Sequence, residues 1–163
     1  MPPAEISVIH SADNTAIAQI IRGTLSEFGV ARPGTVYYDE STDHLSDVFA
    51  APGSIYYIMR VDGAIVGGAG IYPTAGLGDG ICELVKMYLL PQARGLGLGR
   101  MLMERCILFA KAQGYEQVYL ETMPELSLAI GLYEKMGFTR LTAPLGNSGH
   151  FGCGIWMLKN ISL

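Results

Sequence analysis

Apolar and polar positions along this chain change period in short blocks, and each change of period predicts an element. "EISVIH" (5–10) alternates apolar and polar residues and predicts a first strand. Residues 11–29 set Ile17, Ile20, Ile21 and Leu25 on one helical stripe, with Asp13 or Asn14 as the cap. Residues 41–49 put Leu45, Val48 and Phe49 on one face of a short helix behind a Ser/Thr cap. Residues 53–72 are β-branched and aromatic runs broken by Asp62-Gly63, a hairpin turn signal, and 80–90 continue as a long strand able to pair with them. From Gly97 to Gln113, Leu98, Leu102, Cys106, Phe109 and Ala110 recur at helical spacing, and Gly114 sits where a C-cap glycine belongs. Residues 116–122 predict a short strand. Residues 126–138 predict a helix with Leu126, Ala129, Ile130 and Tyr133 inward, ended by Gly137. The remainder, 139–161, reads as two strands around a polar, glycine-rich loop.

This order of elements is an α+β arrangement: a strand, two helices, three mainly antiparallel strands, a helix, a strand, a helix and two strands. The central helix is a crossover. Without repeats or linkers, 163 residues predict one domain spanning 1–163. Half the residues are hydrophobic and 16% are charged, which is far from the composition of a disordered chain. A net charge of −4 supplies no attraction to phosphate backbones, so no nucleic acid partner is expected. The N-terminus lacks a basic region followed by an apolar one, and no apolar run of about 18 residues occurs, which predicts a cytoplasmic protein with no membrane partner. Cys82, Cys106 and Cys153 are odd in number, widely spaced and form no CxxC pair, as in a reducing compartment. His150-x-x-Cys153 suggests a metal half-site, but His10 and His44 are the only other histidines, neither at ligand-like spacing, and no metal is expected.

The stretch "LLPQARGLGLGR" (89–100) is the strongest chemical signal. Alternating Gly95, Gly97 and Gly99 continue neither a strand nor a helix well. A strand leading through glycines into a helix start is, however, a device for holding phosphate, because first-turn N–H groups lack partners and the helix dipole is positive there. Arg94 and Arg100 bracket the loop and can neutralise further phosphate charge. The GK[ST] ending of a P-loop is missing. A dinucleotide fingerprint would need glycine where Arg100 stands, and the first 80 residues leave no room for a doubly wound sheet. Glu121, near the position of a ribose-binding acid, is the one feature favouring a nicotinamide-dependent enzyme.

The run from Gln92 through Gly97 resembles the Q/R-x-x-G-x-G/A signature of the GNAT N-acetyltransferase superfamily, extended here by Gly99 and Arg100. "MYLLPQARGLGLG" and "LYEKMGF" stand in that family's order and spacing, the element order covers essentially all of the chain, and the tail "LGNSGHFGCGIW" is similar to the ending of a GNAT subgroup. The resemblance implies a mixed, mainly antiparallel central sheet flanked by helices, with a V-shaped splay between two central parallel strands. It implies transfer of the acetyl group of acetyl-CoA, by direct attack in a ternary complex, to a primary amine of a small molecule or peptide. Gln92 and the backbone of Arg94, Gly95, Leu96, Gly97, Leu98, Gly99 and Arg100 would hold the pyrophosphate, and Met87, Tyr88 and Leu89 would pair with the pantetheine, alongside "QVYLET". Leu126 stands where many members carry a cofactor-contacting Asn, and Ser127 is the substitute available. The family often forms homodimers. The competing classes are the nicotinamide enzyme and a non-catalytic acyl-CoA-binding module of the same fold.

Amine acetylation needs an unprotonated nucleophile, a polarised thioester carbonyl and a proton for the departing thiolate. The resemblance makes Tyr133 the donor to the coenzyme A sulfur; its place on an apolar helical stripe equally suits a core tyrosine. Glu83 lies in an apolar strand, with the strand parity of Met87 and Leu89, where burial raises a carboxyl pKa toward that of a base. A structural carboxylate is the other reading. His150, in the last hairpin's loop, is a base, a ligand for an acceptor carboxylate, or a solvated residue. Asp39, Glu40, Asp43 and Asp47 cluster around the second short helix, either to attract a cationic amine or as a solvated face.

Overall fold

Strands β2 (Ile55–Val61) and β3 (Ala64–Tyr72) meet at the predicted hairpin, with Asp62 and Gly63 both at positive φ, as a two-residue turn of this hand requires. The computed structural model describes residues 3–162. β1 (Ala4–Val8) pairs antiparallel with β2 on one side, and β4 (Ile81–Leu89) pairs antiparallel with β3 on the other. β5 (Gln117–Thr122) then joins β4 in parallel, β7 (Ile155–Asn160) pairs antiparallel with β5, and β6 (Thr139–Leu141) closes the far edge. The sheet has seven strands in the order β1-β2-β3-β4-β5-β7-β6. Its one parallel pair among the described residues is not the doubly wound sheet of a dinucleotide fold.

Alternation along the strands builds a core on each face. Tyr56 and Ile58 of β2 point to the side of α1 (Asn14–Glu27) and α2 (Leu45–Val48), where Ile17, Ile21, Leu25 and Leu45 are buried. Tyr57 and Met59 point to the opposite side, against Leu98, Leu102, Met103 and Cys106 of α3 (Leu98–Ala112), the crossover between β4 and β5. α4 (Ser127–Lys135) adds Tyr133 to that second core. Gly114 closes α3 at positive φ, as its C-cap position predicts. Asp13 is the N-cap residue of α1, one of the two expected, although its carboxylate accepts from the His10 N–H at 2.9 Å and bonds no N–H of α1; Asn14 is the first residue of the helix and exchanges hydrogen bonds with Ser46. One local reading is corrected. The Ser/Thr cap of the second helix is absent: Thr42 donates to the Val36 carbonyl, and the segment opens as a 3₁₀ turn from Glu40 to His44 before α2.

β4 is not a regular strand. Its register with β3 slips between the pairs Gly68–Tyr88 and Gly70–Val85, and Lys86 has φ 52°. Two residues, Lys86 and Met87, therefore stand opposite the single Ala69, which is a β-bulge. Tyr56, fully buried, donates its hydroxyl to the Lys86 carbonyl at 2.7 Å and so satisfies the backbone group that the bulge frees. The glycines of β3 make room for this. A Cβ at Gly67 would lie 2.1 Å from the Tyr88 carbonyl oxygen, and one at Gly68 would lie 2.5 Å from the Tyr56 ring. Gly67→Ala should therefore destabilise the fold by roughly 2 kcal/mol or more, as overpacking against backbone does. Chemical denaturation checks this, and an unchanged midpoint would mean the two strands have room to part.

Candidate active site

The parallel pairing of β4 and β5 is brief. Ile81, Cys82 and Glu83 pair with Gln117, Val118 and Tyr119, and then the strands part while β4 runs on to Leu89 and β5 to Thr122. The bulge turns β4 away from its neighbour, so the divergence has a local cause in Lys86. This is the V-shaped splay, and a cleft of about 490 Å³ passes through it. Beyond Glu83, the edge of β4 facing β5 carries backbone groups with no strand partner.

One end of the cleft is the glycine loop. Gly97, at φ 80°, is the N-cap of α3, and Met101 N–H to Gly97 O is the first bond of the helix. The N–H groups of Leu98, Gly99 and Arg100 are thereby left for an external acceptor. A Cβ at Gly95 or Gly97 would meet nothing within 4 Å, so these glycines give left-handed backbone beside open space. Gly99 does a different job: a Cβ there would lie 3.2 Å from Leu132 and 3.6 Å from Leu89, so it seats the helix start against its neighbours. Arg94 is held by Glu27 of α1 at 2.8 and 2.9 Å, donates to the Leu89 carbonyl and stacks on Phe28. It braces the loop instead of standing free for phosphate. Arg100 is exposed and pairs with Glu104 one turn along.

The other end is polar. Glu83, 4% exposed, accepts a 2.5 Å hydrogen bond from Thr74. Burial pushes its carboxyl up to about 7, with the nearby Glu121 carboxylate adding to the rise. Glu121 accepts from Tyr119 at 2.7 Å and from Ser148. His150 lies with Nε2 2.6 Å from Asp39 and Nδ1 4.0 Å from Glu121, spanning two walls. The Nζ of Lys86 is 3.8 Å from Asp39. Tyr133 enters from the α3 and α4 side, and burial raises its phenol pKa. Its hydroxyl, on the cleft wall, bonds to no protein group among the described residues.

The structure thus brings Glu83, Met87, Tyr88, Leu89, Tyr133 and His150 to one cleft, together with Arg94, Gly95, Gly97, Gly99 and Arg100 at the loop end. Gln92 and Leu96 are exposed outside it, Leu98 is buried in the core, and Ser127 points outward while Leu126 and Ala129 line the wall. The expected parity of Glu83 with Met87 and Leu89 is wrong. The bulge inverts it, and Glu83 shares the face of Val85 and Tyr88, toward α1, while Met87 and Leu89 face α3. Of the acidic cluster, Asp39 alone reaches the cleft network; Asp43 pairs with Arg22, and Glu40 and Asp47 are exposed. The sequence reading missed Lys86, Tyr119, Thr74 and Ser148. Lys86 carries the same signal that singled out Glu83, a charge inside an apolar strand. Cys153 lines the cleft, but burial pushes its thiol up to about 12, which leaves it inert.

Comparison with known proteins gives a consistent picture. Residues 17–138 match the family model described as the acetyltransferase (GNAT) family. The Escherichia coli protein YjgM, named an uncharacterized N-acetyltransferase, is 41% identical over 150 residues, which is 91% of this chain and 90% of that protein. A GNAT-family acetyltransferase from Staphylococcus aureus superposes with a TM-score of 0.87 at 18% identity, covering 98% of this chain and all of its own. The Salmonella typhimurium protein yncA, solved with its cofactor acetyl-CoA, does so with a TM-score of 0.76 at 22% identity, covering 99% of this chain and 95% of its own.

The burial of Glu83 makes stability depend on pH. Below about 4.5 the carboxyl is protonated folded and unfolded, and burial carries no charge penalty. As pH rises toward about 7 the unfolded chain releases the proton first, and above 7 the full desolvation cost remains. Relative to Glu83→Gln, the native chain should lose up to roughly 3 kcal/mol of unfolding free energy between pH 4.5 and 8. Denaturation of both proteins across that range checks it; parallel curves would mean that Glu83 is solvated.

Proposed function

This chain belongs to the GNAT acetyltransferase family, and on that premise we propose that it moves the acetyl group of acetyl-CoA to a primary amine, of a small molecule or a peptide, bound at the Glu83 end of the cleft. The observation that carries the reading is a buried carboxyl poised near 7 at the apex of the splay, with a phenol hydroxyl entering the same cleft from the opposite face of the sheet.

The chain's groups fit the co-substrate. The unpaired β4 edge suits the amide-bearing arm of coenzyme A, and the free N–H groups at the start of α3, beside open space at Gly95 and Gly97, suit its pyrophosphate. Bound acetyl-CoA supplies an activated thioester carbonyl. Glu83, ionised, takes a proton from the acceptor ammonium, directly or through one water, and Thr74 fixes the carboxyl's orientation. Tyr133 keeps its proton because burial disfavours the phenolate, and it donates that proton, or a hydrogen bond, to the departing sulfur. Polar atoms of Tyr119, Glu121 and Ser148 form the fixed wall behind the acceptor.

Two measurements test this. Thiol release from acetyl-CoA in the presence of an amine panel should depend on amine and rise as pH passes through about 7, because the base must be ionised, and Glu83→Gln should lose that limb. Thiol release with no amine dependence would mean hydrolysis of the thioester in place of transfer, and no release at all would favour a non-catalytic acyl-CoA-binding module. Tyr133→Phe should lower kcat by about 100-fold, the scale of a lost general acid, with acetyl-CoA affinity nearly unchanged. A large loss of affinity with unchanged kcat would remove Tyr133 from that role.

A further inference from the structure

Lys86 is a charged group in the cleft that the proposed chemistry does not use. It occupies the bulge at φ 52°, a conformation in which glycine or asparagine is the ordinary choice. A lysine held in that region, its carbonyl pinned by Tyr56, points to a requirement for the side chain at this spot. The side chain is 9% exposed, yet its ammonium makes no hydrogen bond to protein among the described residues. Asp39, its nearest opposite charge, is 3.8 Å away, beyond hydrogen-bond reach, and the same Asp39 oxygen is already engaged by His150 at 2.6 Å. Three donors are thus left aimed into a cleft whose carboxylates are largely satisfied. Glu121 has Tyr119 and Ser148, Asp39 has His150, and Glu83 has Thr74 on one oxygen.

We propose that Lys86 binds a carboxylate on the acceptor, so that the preferred acceptor is an amino acid held with its amine toward Glu83 and its carboxylate on Lys86. This deepens the transferase reading and rests on it. The charge pattern supports a zwitterion over the alternatives. A simple amine would leave the Lys86 donors without a partner, and a phosphate dianion would find one lysine facing Asp39, Glu83 and Glu121. An amino acid adds no net charge to the cleft, and each of its ends meets the opposite sign. Glu83 and Lys86 are three residues apart on a bulged strand, so both act from one element on one small molecule.

The test compares the common L-amino acids with the carboxamide and the decarboxylated amine of each, by transfer kinetics and by calorimetric binding to the protein saturated with coenzyme A. Native protein should favour the acid by about tenfold or more over its amide and amine, the scale of a lost hydrogen bond to a charged group. Lys86→Met should erase that preference by raising KM for the acid while changing the amide and amine little, and Lys86→Arg should restore part of it. Amide or amine served as well as the acid, equal losses for all three in Lys86→Met, or no amino acid bound or acetylated would each overturn the inference. Preferential binding of the acid without transfer would leave the Lys86 site standing and defeat the catalytic reading. Transfer to amines without acid preference would do the reverse.

Discussion

The fold depends on one irregularity in backbone pairing, the bulge in β4 at Lys86. A regular β4 would stay hydrogen-bonded to β5 along its length, and the splay would close. Because two residues of β4 stand against Ala69 alone, the strand turns, the pairing with β5 ends at Glu83, and a row of backbone donors and acceptors faces empty space. The irregularity needs support from three directions. Glycines 67 and 68 let β3 approach the bulge, Tyr56 satisfies its carbonyl from beneath, and the two cores clamp the sheet from both faces. Unpaired edges are a liability in most sheets; here the edge lies inside a cleft, where a ligand and not another chain can add to it.

The bulge also sorts the chemistry. It inverts side-chain parity along the strand, so that Glu83 and Val85 point toward α1 while Met87 and Leu89 point toward α3. Buried charge is then managed by pairing. Each carboxylate at the acceptor end has a hydrogen-bond donor, and the carboxyl that is most desolvated, Glu83, is the one held near neutrality. Burial elsewhere acts in the opposite functional sense: it keeps the thiols of Cys82 and Cys153 protonated and unreactive. The same physical effect, loss of water around an ionisable group, produces a base at one position and inert packing at another.

The glycine loop is visible in the sequence, but tertiary contacts set the task of each of its glycines. Gly95, Gly97 and Gly99 form one sequence pattern but perform two tasks, left-handed backbone beside open space at the first two and close helix packing at the third. Arg94 looked like a phosphate ligand because it is basic and adjacent. Glu27, 67 residues earlier in the chain, claims it instead. Contacts over such separations leave no local trace in the sequence.

The sequence by itself determined the elements, their order, the crossover helix and the loop that opens it, because periodicity, turn chemistry and glycine placement are local properties of the chain. It also singled out Glu83 and Tyr133, since a charge in an apolar strand and a motif tyrosine are visible one residue at a time. Tertiary structure alone decided which way β4 faces after Val85, and with it the partners of Glu83 and the aim of Lys86. A one-residue bulge inverts side-chain parity, and whether a strand bulges is set by the neighbour it must fit, here the glycines of β3 and the ring of Tyr56. The Asp39–His150 bridge is of the same kind: its ends are 111 positions apart in the chain, and only the folded sheet brings them to one cleft.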